Sequence, residues 1–312
     1  MTAIGSSDLH VFPLGLGGNT FGWTSDQETS FAVLDAYVAG GGNFIDTSDS
    51  YSAWAPGNSG GESETIIGEW AKARGDRDSL VIATKVSSHP RFRGLSAKNV
   101  RAAADASLAR LQTDHIDLYY AHYDDPDVPV AEAAGAFHEL QQAGKIRYVG
   151  LSNYTAPRLR EWFATAKAAG FAPPVALQPH YNLVERTRYE TELAPVAAEF
   201  GLGVLPYYAL ASGFLAGKYR SASDHADAAR QKGATRYLTP TGLAVLAALD
   251  EISASRGVSQ ATVAIAWLRT RPGVAAPLAS ASRVDQLGAL LAAATLDLTA
   301  GDIEALDAAS AG

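Results

Sequence analysis

The chain has 312 residues, of which 47% are hydrophobic, so it is long and apolar enough for one large folded domain and is not a disordered chain. Its formal net charge of −8 at pH 7 disfavours non-specific binding to nucleic acid. The sequence contains no cysteine, which excludes disulfides, thiolate nucleophiles and cysteine-ligated metals.

Targeting signals and membrane spans are not evident in the sequence. The N-terminus has no basic segment followed by an apolar run, and no stretch reaches the ~18 uninterrupted apolar residues of a spanning helix. We therefore expect no membrane association and a cytoplasmic location. Because no linker or low-complexity tract interrupts the chain, residues 1–312 are predicted to form a single domain.

The first predicted element is a β-hairpin, in which residues 6–8 turn the chain between residues 2–4 and 9–12. Strand and helix then alternate, strand first, through residues 14–16, 27–39, 43–46, 62–74, 80–85 and 97–111. Ser59 and Glu62 have the spacing of a capping box for the second of these helices.

The same alternation continues through the second half of the chain. It is predicted for residues 116–122, 130–143, 146–151, 156–169, 175–178, 193–200 and 203–207, again strand first. After a long loop at residues 212–238 come helices at 241–256 and 260–271, a strand at 274–278, and helices at 284–292 and 299–309. Eight strand–helix units predict an α/β fold, a closed (β/α)8 TIM barrel with an N-terminal hairpin and extra C-terminal helices.

Polar side chains mark the ends of successive predicted strands. They are Asp46, Lys85, His122, Asn153, Gln178 and Tyr207. Tyr51 lies in the loop after the second strand. Because the carboxyl ends of the strands of such a barrel meet at one mouth, we expect these groups to converge there.

Four of these groups fit the reduction of a carbonyl. The carbonyl oxygen gains negative charge as it accepts hydride, and the Tyr51 phenol could supply its proton. We expect the Lys85 ammonium to lower the pKa of Tyr51, and Asp46 to balance the ammonium's charge. His122 could donate a hydrogen bond to the substrate oxygen.

Each of these residues also has an ordinary structural interpretation. Asp46 could cap a loop, Lys85 could extend to solvent, and His122 and Tyr51 could simply pack. Their occurrence at successive strand ends favours the functional interpretation, because chance would scatter them over both faces of the barrel.

Several segments resemble the aldo-keto reductase superfamily, particularly bacterial members related to potassium-channel β-subunits. They are GGNFIDTSDSYS followed by GGESETIIGEW, then VIATKV, DLYYAHYDDP, AGKIRYVGLSNY and VLPYYALASGFLAGKY, and they occur in the family's order along almost the whole chain. The resemblance implies that Asp46, Tyr51, Lys85 and His122 form a catalytic tetrad. It also implies NADPH bound in an extended form across the barrel mouth, without a Gly-rich Rossmann loop.

The resemblance further implies which residues hold this cofactor. By position, Ser152, Asn153 and Gln178 contact the nicotinamide carboxamide, and Tyr207 stacks on the nicotinamide ring. Leu210, Ser212, Gly213 and Lys218 correspond to pyrophosphate and ribose contacts, and Ser282, Arg283 and Gln286, with Arg230 as a further candidate, to the 2′-phosphate and adenine end. An arginine and a hydroxyl suit a phosphate, so NADPH is favoured, with NADH as an alternative.

Three positions depart from the family pattern. The usual Tyr-Ser-Pro-Leu is replaced by Tyr207-Tyr208-Ala209-Leu210, and the usual glycine after the last strand is Ser280. The usual Glu-Asn pair near the adenine is Ala289-Leu290. All four tetrad positions are intact.

Aromatic residues are expected around the substrate. Phe21, Trp23, Trp54 and Tyr123 fall in loops at the mouth, where they could form an apolar slot for a small carbonyl compound or simply pack in the core. No charged cluster identifies the substrate, and the sequence leaves the oligomeric state open.

Other functions fit parts of the pattern. A Schiff-base aldolase would use Lys85 as its nucleophile, but would have no use for the cofactor segments. A metal-dependent hydrolase is disfavoured because the seven histidines form no HxH or HExxH motif, and we expect no metal. The third alternative is a protein that binds the cofactor and acts as a sensor or partner without rapid turnover.

Overall fold

The computed structural model describes residues 1–221, 224 and 231–311. Its strands are β1 (Thr2–Ala3), β2 (His10–Val11), β3 (Gly15–Gly17), β4 (Phe44–Asp46), β5 (Val81–Val86), β6 (Ser88–His89), β7 (Phe92–Arg93), β8 (Ile116–Ala121), β9 (Ile146–Ser152), β10 (Ala176–Gln178), β11 (Gly203–Val204) and β12 (Leu278–Ala279). Strands β12, β3, β4, β5, β8, β9, β10 and β11 lie side by side, in that order, in one eight-stranded sheet whose neighbours are parallel.

The two edges of this sheet meet through the segment that leads into β12. Val204 of β11 forms a parallel bridge with Val274. Its N–H donates to the Gly273 carbonyl at 2.9 Å, and its carbonyl accepts from the N–H of Ala275 at 2.9 Å. The sheet is therefore closed, and the predicted (β/α)8 barrel is confirmed.

Helices cover the outside of the barrel. They are α1 (Gln27–Ala39), α2 (Glu62–Arg74), α3 (Ala97–Leu111), α4 (Val130–Gln142), α5 (Ala156–Ala169), α6 (Ala194–Glu199), α7 (Gln231–Thr235), α8 (Pro240–Arg256), α9 (Gln260–Arg269), α10 (Leu287–Ala292) and α11 (Ala300–Ala309). A π-helical turn (Tyr189–Leu193) precedes α6, and 3-10 turns occur at Arg77–Ser79, Ala211–Ala216 and Val284–Gln286. In the described part of the chain, no helix is long and apolar enough to cross a membrane.

The N-terminal hairpin closes the base of the barrel. β1 and β2 are antiparallel, with Thr2 opposite Val11, as predicted. Side chains of the hairpin, such as Ile4 and Leu9, are buried with the residues that fill the barrel interior. Gly5 has a φ of +53°, and a Cβ there would lie 2.3 Å from the Val175 carbonyl oxygen, so only glycine lets the turn approach the barrel this closely.

The last two strands of the barrel along the chain, β11 and β12, are shorter than predicted. Residues 205–207 and 274–277 lie outside β11 and β12, although Val274 still forms a bridge. The hairpin of β6 and β7 was not predicted. The long loop at 212–238 contains a 3-10 turn and α7, and part of it, including Arg230, lies outside the described residues.

Only half of the predicted capping box at α2 is formed. The helix begins at Glu62 after Gly61, and no side chain caps it. The Glu62 carboxylate accepts from the backbone N–H of Ser59 at 2.7 Å, as the box requires, and also from that of Gly60. The bond from the Ser59 hydroxyl to the helix is missing. Gly61 has a φ of 90°, so the chain enters the helix at a left-handed glycine rather than at an extended serine.

Candidate active site

The Lys85 ammonium is the centre of the buried polar group at the barrel mouth. Its Nζ lies 2.7 Å from Asp46 Oδ2, 2.6 Å from the Thr47 carbonyl and 3.0 Å from the Tyr51 hydroxyl. β4 carries Asp46 and β5 carries Lys85, and these strands are neighbours in the sheet. The ammonium therefore has three acceptors for its three N–H groups and no exposed surface.

Burial decides the protonation of the Tyr51 phenol in this structure. Burial, followed by the nearby Asp46 carboxylate, raises the pKa of Tyr51 well above its usual value of 10. The expectation that Lys85 would lower this pKa is therefore not met, because the cost of burying a phenolate is larger than the gain from the ammonium. Tyr51 is held in its protonated form.

The same burial acts on Lys85 in the opposite sense. It lowers the pKa of Lys85, and the contact with Asp46 offsets part of that change. Asp46 is itself held from a second side, because Gln178 Nε2 donates to its Oδ1 at 2.8 Å. The buried ion pair is thus hydrogen-bonded at both ends, as a buried pair requires.

His122 follows β8 and faces Tyr51. The centroids of the two rings lie 6.3 Å apart, and Tyr123 packs against the imidazole at 4.6 Å. His122 is 9% exposed, and burial with the charge of Lys85 lowers its pKa well below 6.5. The imidazole is therefore neutral at pH 7, with a single N–H to donate.

The residues expected at the nicotinamide end lie together beside the tetrad. Asn153 Nδ2 donates to the His122 carbonyl at 2.9 Å, and its Oδ1 accepts from the Tyr207 hydroxyl at 2.8 Å. The Ser152 hydroxyl donates to the Gln178 carbonyl at 2.9 Å. Asn153 has a φ of 58°, in the left-handed region, and its side chain links the residues that follow β8 and β11.

The residues expected to contact the rest of the cofactor lie in two segments around the mouth. Leu210, Ser212 and Gly213 are partly buried, and Lys218 is exposed. In the second segment, Gln286 Oε1 accepts from the Ser282 N–H at 2.9 Å, and Arg283 pairs with Asp285 at 3.1 Å. The hydrogen bond from Arg283 lowers the pKa of the Asp285 carboxyl, and the charge of Lys218 adds a smaller effect in the same direction.

The positions that depart from the family pattern have clear structural roles. The Ser280 hydroxyl donates to Asn19 Oδ1 at 2.5 Å. Leu290 is 3% exposed and packs in the core, and the Ala289 carbonyl accepts from the Thr262 hydroxyl. Tyr208 is 49% exposed with a φ of 56°. Leu290 thus serves packing at a position where the family pattern has a polar residue.

Three of the four expected aromatic residues lie at the mouth. Trp54 is 52% exposed and lies 6.1 Å from the Tyr51 ring. Trp23 meets Trp54 edge to face at 5.5 Å, and Tyr123 is 49% exposed. Phe21 differs from these three: it is fully buried in the hydrophobic core, which is the alternative that the sequence left open for these aromatic residues.

Sequence reasoning missed the hydroxyl groups around His122. Ser88 Oγ lies 3.0 Å and Ser48 Oγ 3.3 Å from His122 Nδ1. Ser48 could have been found from the sequence, because it lies in the same segment as Asp46 and Tyr51. Ser88 could not, because it belongs to the β6–β7 hairpin, which was not predicted. The described residues hold no group of three or more histidines and carboxylates that could bind a metal ion.

Comparison with known proteins identifies relatives over almost the whole chain. The family model of the Aldo/keto reductase family matches residues 13–311. The chain is 34% identical to protein tas of Escherichia coli, covering 94% of this chain and 92% of the relative. It is 32% identical to a probable voltage-gated potassium channel subunit beta of Oryza sativa (91% and 88%), and 31% identical to norsolorinic acid reductase B of Aspergillus parasiticus (97% and 81%).

Proposed function

The chain belongs to the aldo/keto reductase family, and from this premise we propose that it reduces an aldehyde or ketone to an alcohol with NADPH, taking the proton from Tyr51. Membership of the family makes it an oxidoreductase of carbonyl compounds that uses a nicotinamide cofactor. Our proposal concerns three further points: which nicotinamide cofactor is used, what each residue does, and which class of substrate is reduced.

The arrangement around Lys85 carries the proposal. Lys85 donates a hydrogen bond to the Tyr51 oxygen at 3.0 Å, so the phenol's own proton remains for another acceptor. When that proton passes to the substrate oxygen, the phenolate left behind lies beside an ammonium held by Asp46. The charge that develops in the transition state is thus met by a preorganised cation.

His122 completes the site for the carbonyl oxygen. Its neutral ring lies across from Tyr51, so an oxygen between them would receive one hydrogen bond from each side. The bound nicotinamide would supply the hydride. Two donors on one oxygen both orient the carbonyl and stabilise its developing charge.

Polar groups at the mouth fit the cofactor's nicotinamide end. Ser152, Asn153 and Gln178 offer hydroxyl and amide groups close to the tetrad, and Tyr207 offers a partly buried aromatic face. Such donors and acceptors suit a carboxamide, and the phenol ring suits a flat heterocycle.

The preference for NADPH rests on Lys218 and Arg283. Arg283 pairs with Asp285 at 3.1 Å, and the charge of Lys218 also acts on that carboxyl. The Arg283 side chain is 66% exposed and free to exchange this partner for a phosphate. A phosphate carries more charge than a carboxylate and accepts bidentate hydrogen bonds from a guanidinium. The 2′-phosphate would therefore displace Asp285 as the partner of Arg283.

The same geometry disfavours the aldolase. A Schiff base requires an unprotonated amine with a free lone pair, whereas the Lys85 ammonium is buried and donates to three oxygens. A small carbonyl compound with an apolar body fits the rim formed by Trp23, Trp54 and Tyr123.

The test is a fluorescence titration of the purified protein with NADPH and NADH, followed by a panel of aldehydes and ketones monitored at 340 nm. We expect tight NADPH binding and its oxidation by part of the panel. Tight binding without turnover would instead favour a protein that binds the cofactor and acts as a sensor or a partner of another protein. The similarity of this chain to a probable potassium-channel subunit raises that alternative. Binding of neither cofactor would overturn the proposal.

A variant separates the two cofactors. We expect Arg283→Ala to weaken NADPH binding by about 12- to 160-fold, the worth of a charge-assisted hydrogen bond, and to leave NADH binding unchanged. Arg101→Ala, which removes an exposed guanidinium paired with Glu139 on the outer helices, is the matched control. Equal loss for both cofactors would contradict the assignment of Arg283 to the 2′-phosphate.

A further inference from the structure

Two serine hydroxyls contact one ring nitrogen of His122 and a third links them, and we call Ser48, Ser50 and Ser88 the serine cage. Ser88 and Ser48 contact Nδ1 at 3.0 and 3.3 Å. Ser50 joins them, because its Oγ lies 2.8 Å from Ser88 Oγ and 3.0 Å from Ser48 Oγ. The cage is built from two separate parts of the chain, the loop after β4 and strand β6.

The backbone of His122 is held at both of its polar groups. Its backbone N–H donates to the Val86 carbonyl at 2.9 Å, and its backbone carbonyl accepts from Asn153 Nδ2 at 2.9 Å. The imidazole is neutral, so it carries one proton on either Nδ1 or Nε2. Only with the proton on Nε2 does the nitrogen opposite the cage become a hydrogen-bond donor.

The hydrogen bonds in the cage favour one direction. The backbone N–H of Ser50 donates to Ser48 Oγ at 3.3 Å, which occupies an acceptor site on that hydroxyl and leaves its proton to be donated. Each serine has a single proton, and Ser50 can pass its own to Ser88. Ser88 then has its proton left for His122 Nδ1, the nearest nitrogen.

Asp49 ends this chain of hydroxyls on the buried side. Its Oδ1 lies 3.3 Å from Ser48 Oγ, while its Oδ2 is buried and has no hydrogen-bond partner among the described residues. Burial and the nearby Glu64 raise the pKa of Asp49 well above its usual value, against the opposing effects of Arg110 and Lys85. Ser48 Oγ donates to Asp49 Oδ1 at this contact, so Ser88 is the cage hydroxyl whose proton remains for His122 Nδ1.

We propose that the serine cage holds His122 as the Nε2–H tautomer and thereby makes it a hydrogen-bond donor to the substrate oxygen, with Ser88 as the principal positioning residue. The hydrogen bond from His122 Nε2–H to the substrate oxygen rests on the proposed function, whereas the Nε2–H tautomer itself does not. If the ring instead donated from Nδ1 into the cage, Nε2 would be an acceptor and would repel a carbonyl oxygen.

The tautomer is measured by 15N NMR on the full-length protein labelled at histidine, at pH 7, with His122→Gln to assign the signal. We expect the Nε2–H form in the wild type. In Ser88→Ala, and more so in Ser48→Ala/Ser88→Ala, the Nδ1–H form should become populated. Ser88→Thr, which keeps the hydroxyl, should restore the wild-type signal. A wild-type Nδ1–H signal, or an unchanged tautomer in the double variant, would overturn the proposal.

Kinetics provide the second readout. We expect Ser88→Ala to lower kcat about 2- to 12-fold, the worth of one hydrogen bond, with cofactor affinity unchanged. Ser30→Ala removes a buried hydroxyl that bonds a backbone carbonyl in α1, and should change neither tautomer nor kcat. A wild-type protein without reductase activity would refute the proposed function, while the NMR result would still decide the role of the cage.

Discussion

Two buried aspartates, one at each end of the barrel, have different kinds of partner. At the mouth, Asp46 binds the ammonium of Lys85, which has no exposed surface. At the base, Asp117 of β8 accepts from Arg77 at 2.7 Å and Arg147 at 2.9 Å, and both arginines reach solvent. The Asp117 carboxylate also accepts from the Ile82 N–H at 2.9 Å.

The difference shows how one barrel separates stability from reactivity. Arginine stays charged, and its fork holds a carboxylate in a fixed geometry, so the cluster at the base resists change in protonation. Lysine responds to burial, and the Lys85 ammonium also touches an ionisable phenol. Residues at the C-terminal ends of barrel strands serve chemistry, and those at the opposite end serve the fold.

The largest expected effect concerns the proton donor. Tyr51→Phe should lower turnover about 10²- to 10⁴-fold, because general-acid catalysis is lost, and leave NADPH affinity nearly intact. Tyr119→Phe is the matched control, since this buried hydroxyl has no hydrogen-bond partner among the described residues. Steady-state assays and cofactor titration would measure both. Full activity in Tyr51→Phe would remove the proton-donor assignment.

Breaking the ion pair at the mouth should affect both stability and activity. Lys85→Met leaves Asp46 buried without its cation, which should cost about 3–5 kcal/mol in the free energy of unfolding and remove turnover. Urea unfolding would measure the loss. Adding Asp46→Asn should recover part of the stability but none of the activity. An unchanged midpoint in the single variant would contradict this account of the pair.

At the base, stability alone should change. Asp117→Asn weakens charge-assisted hydrogen bonds to two arginines, so we expect a loss of about 1.5–3 kcal/mol in the free energy of unfolding. Turnover per folded molecule should match the wild type, because Asp117 lies at the end of the barrel away from the tetrad. Urea unfolding and kinetics on the same preparation would test this. A large fall in kcat would show that the two ends are coupled.

Removing one arginine from the base should have a smaller effect. In Arg147→Met, Asp117 keeps Arg77 and the Ile82 N–H, so the expected loss is about 0.5–1.5 kcal/mol by urea unfolding. Arg101→Met removes an exposed arginine from an ion pair between α3 and α4, and should change stability little. If Arg147→Met and Arg101→Met lose similar amounts of unfolding free energy, then the burial of Asp117 does not strengthen its ion pair with Arg147.

The smallest effect at neutral pH belongs to His180, which stacks on Tyr207 at the mouth. Burial, with the charges of Arg236 and Arg188, lowers the pKa of His180 to about 4. Between about pH 6.5 and 4 the unfolded chain binds the extra proton, so the contribution of His180 to stability is lost as the pH falls through this window.

His180→Gln should therefore lose less stability on acidification. Urea unfolding of both proteins at pH 7, 5.5 and 4.5 would measure the change in their difference, with the exposed His10→Gln as the control. If the difference in the free energy of unfolding between the wild type and His180→Gln stays constant across the three pH values, the lowered pKa of His180 is contradicted.

Much of the fold and the position of the site could be predicted. The barrel followed from the alternation of strand and helix, because side-chain periodicity is a local property of the sequence. The tetrad followed from polar residues at strand ends, because parallel strands bring those ends together. The roles of the tetrad and cofactor residues remain predictions that the proposed variants test.

Other features depended on contacts between distant parts of the chain. Phe21 became part of the core, the pKa of Tyr51 rose instead of falling, and only half of the capping box between Ser59 and Glu62 formed. Each outcome depends on which atoms exclude water or accept a hydrogen bond, and residue order does not specify that.

The sequence by itself therefore determined the order of the elements and the set of polar groups at the mouth, since both follow from local periodicity and barrel geometry. The tertiary structure decided the protonation and direction of those groups. The clearest case is His122, whose Nδ1 meets Ser48, 74 positions away in the chain, and Ser88, 34 positions away. The free energy of a buried charge or proton depends on all the dipoles around it, and these come together only when the barrel closes.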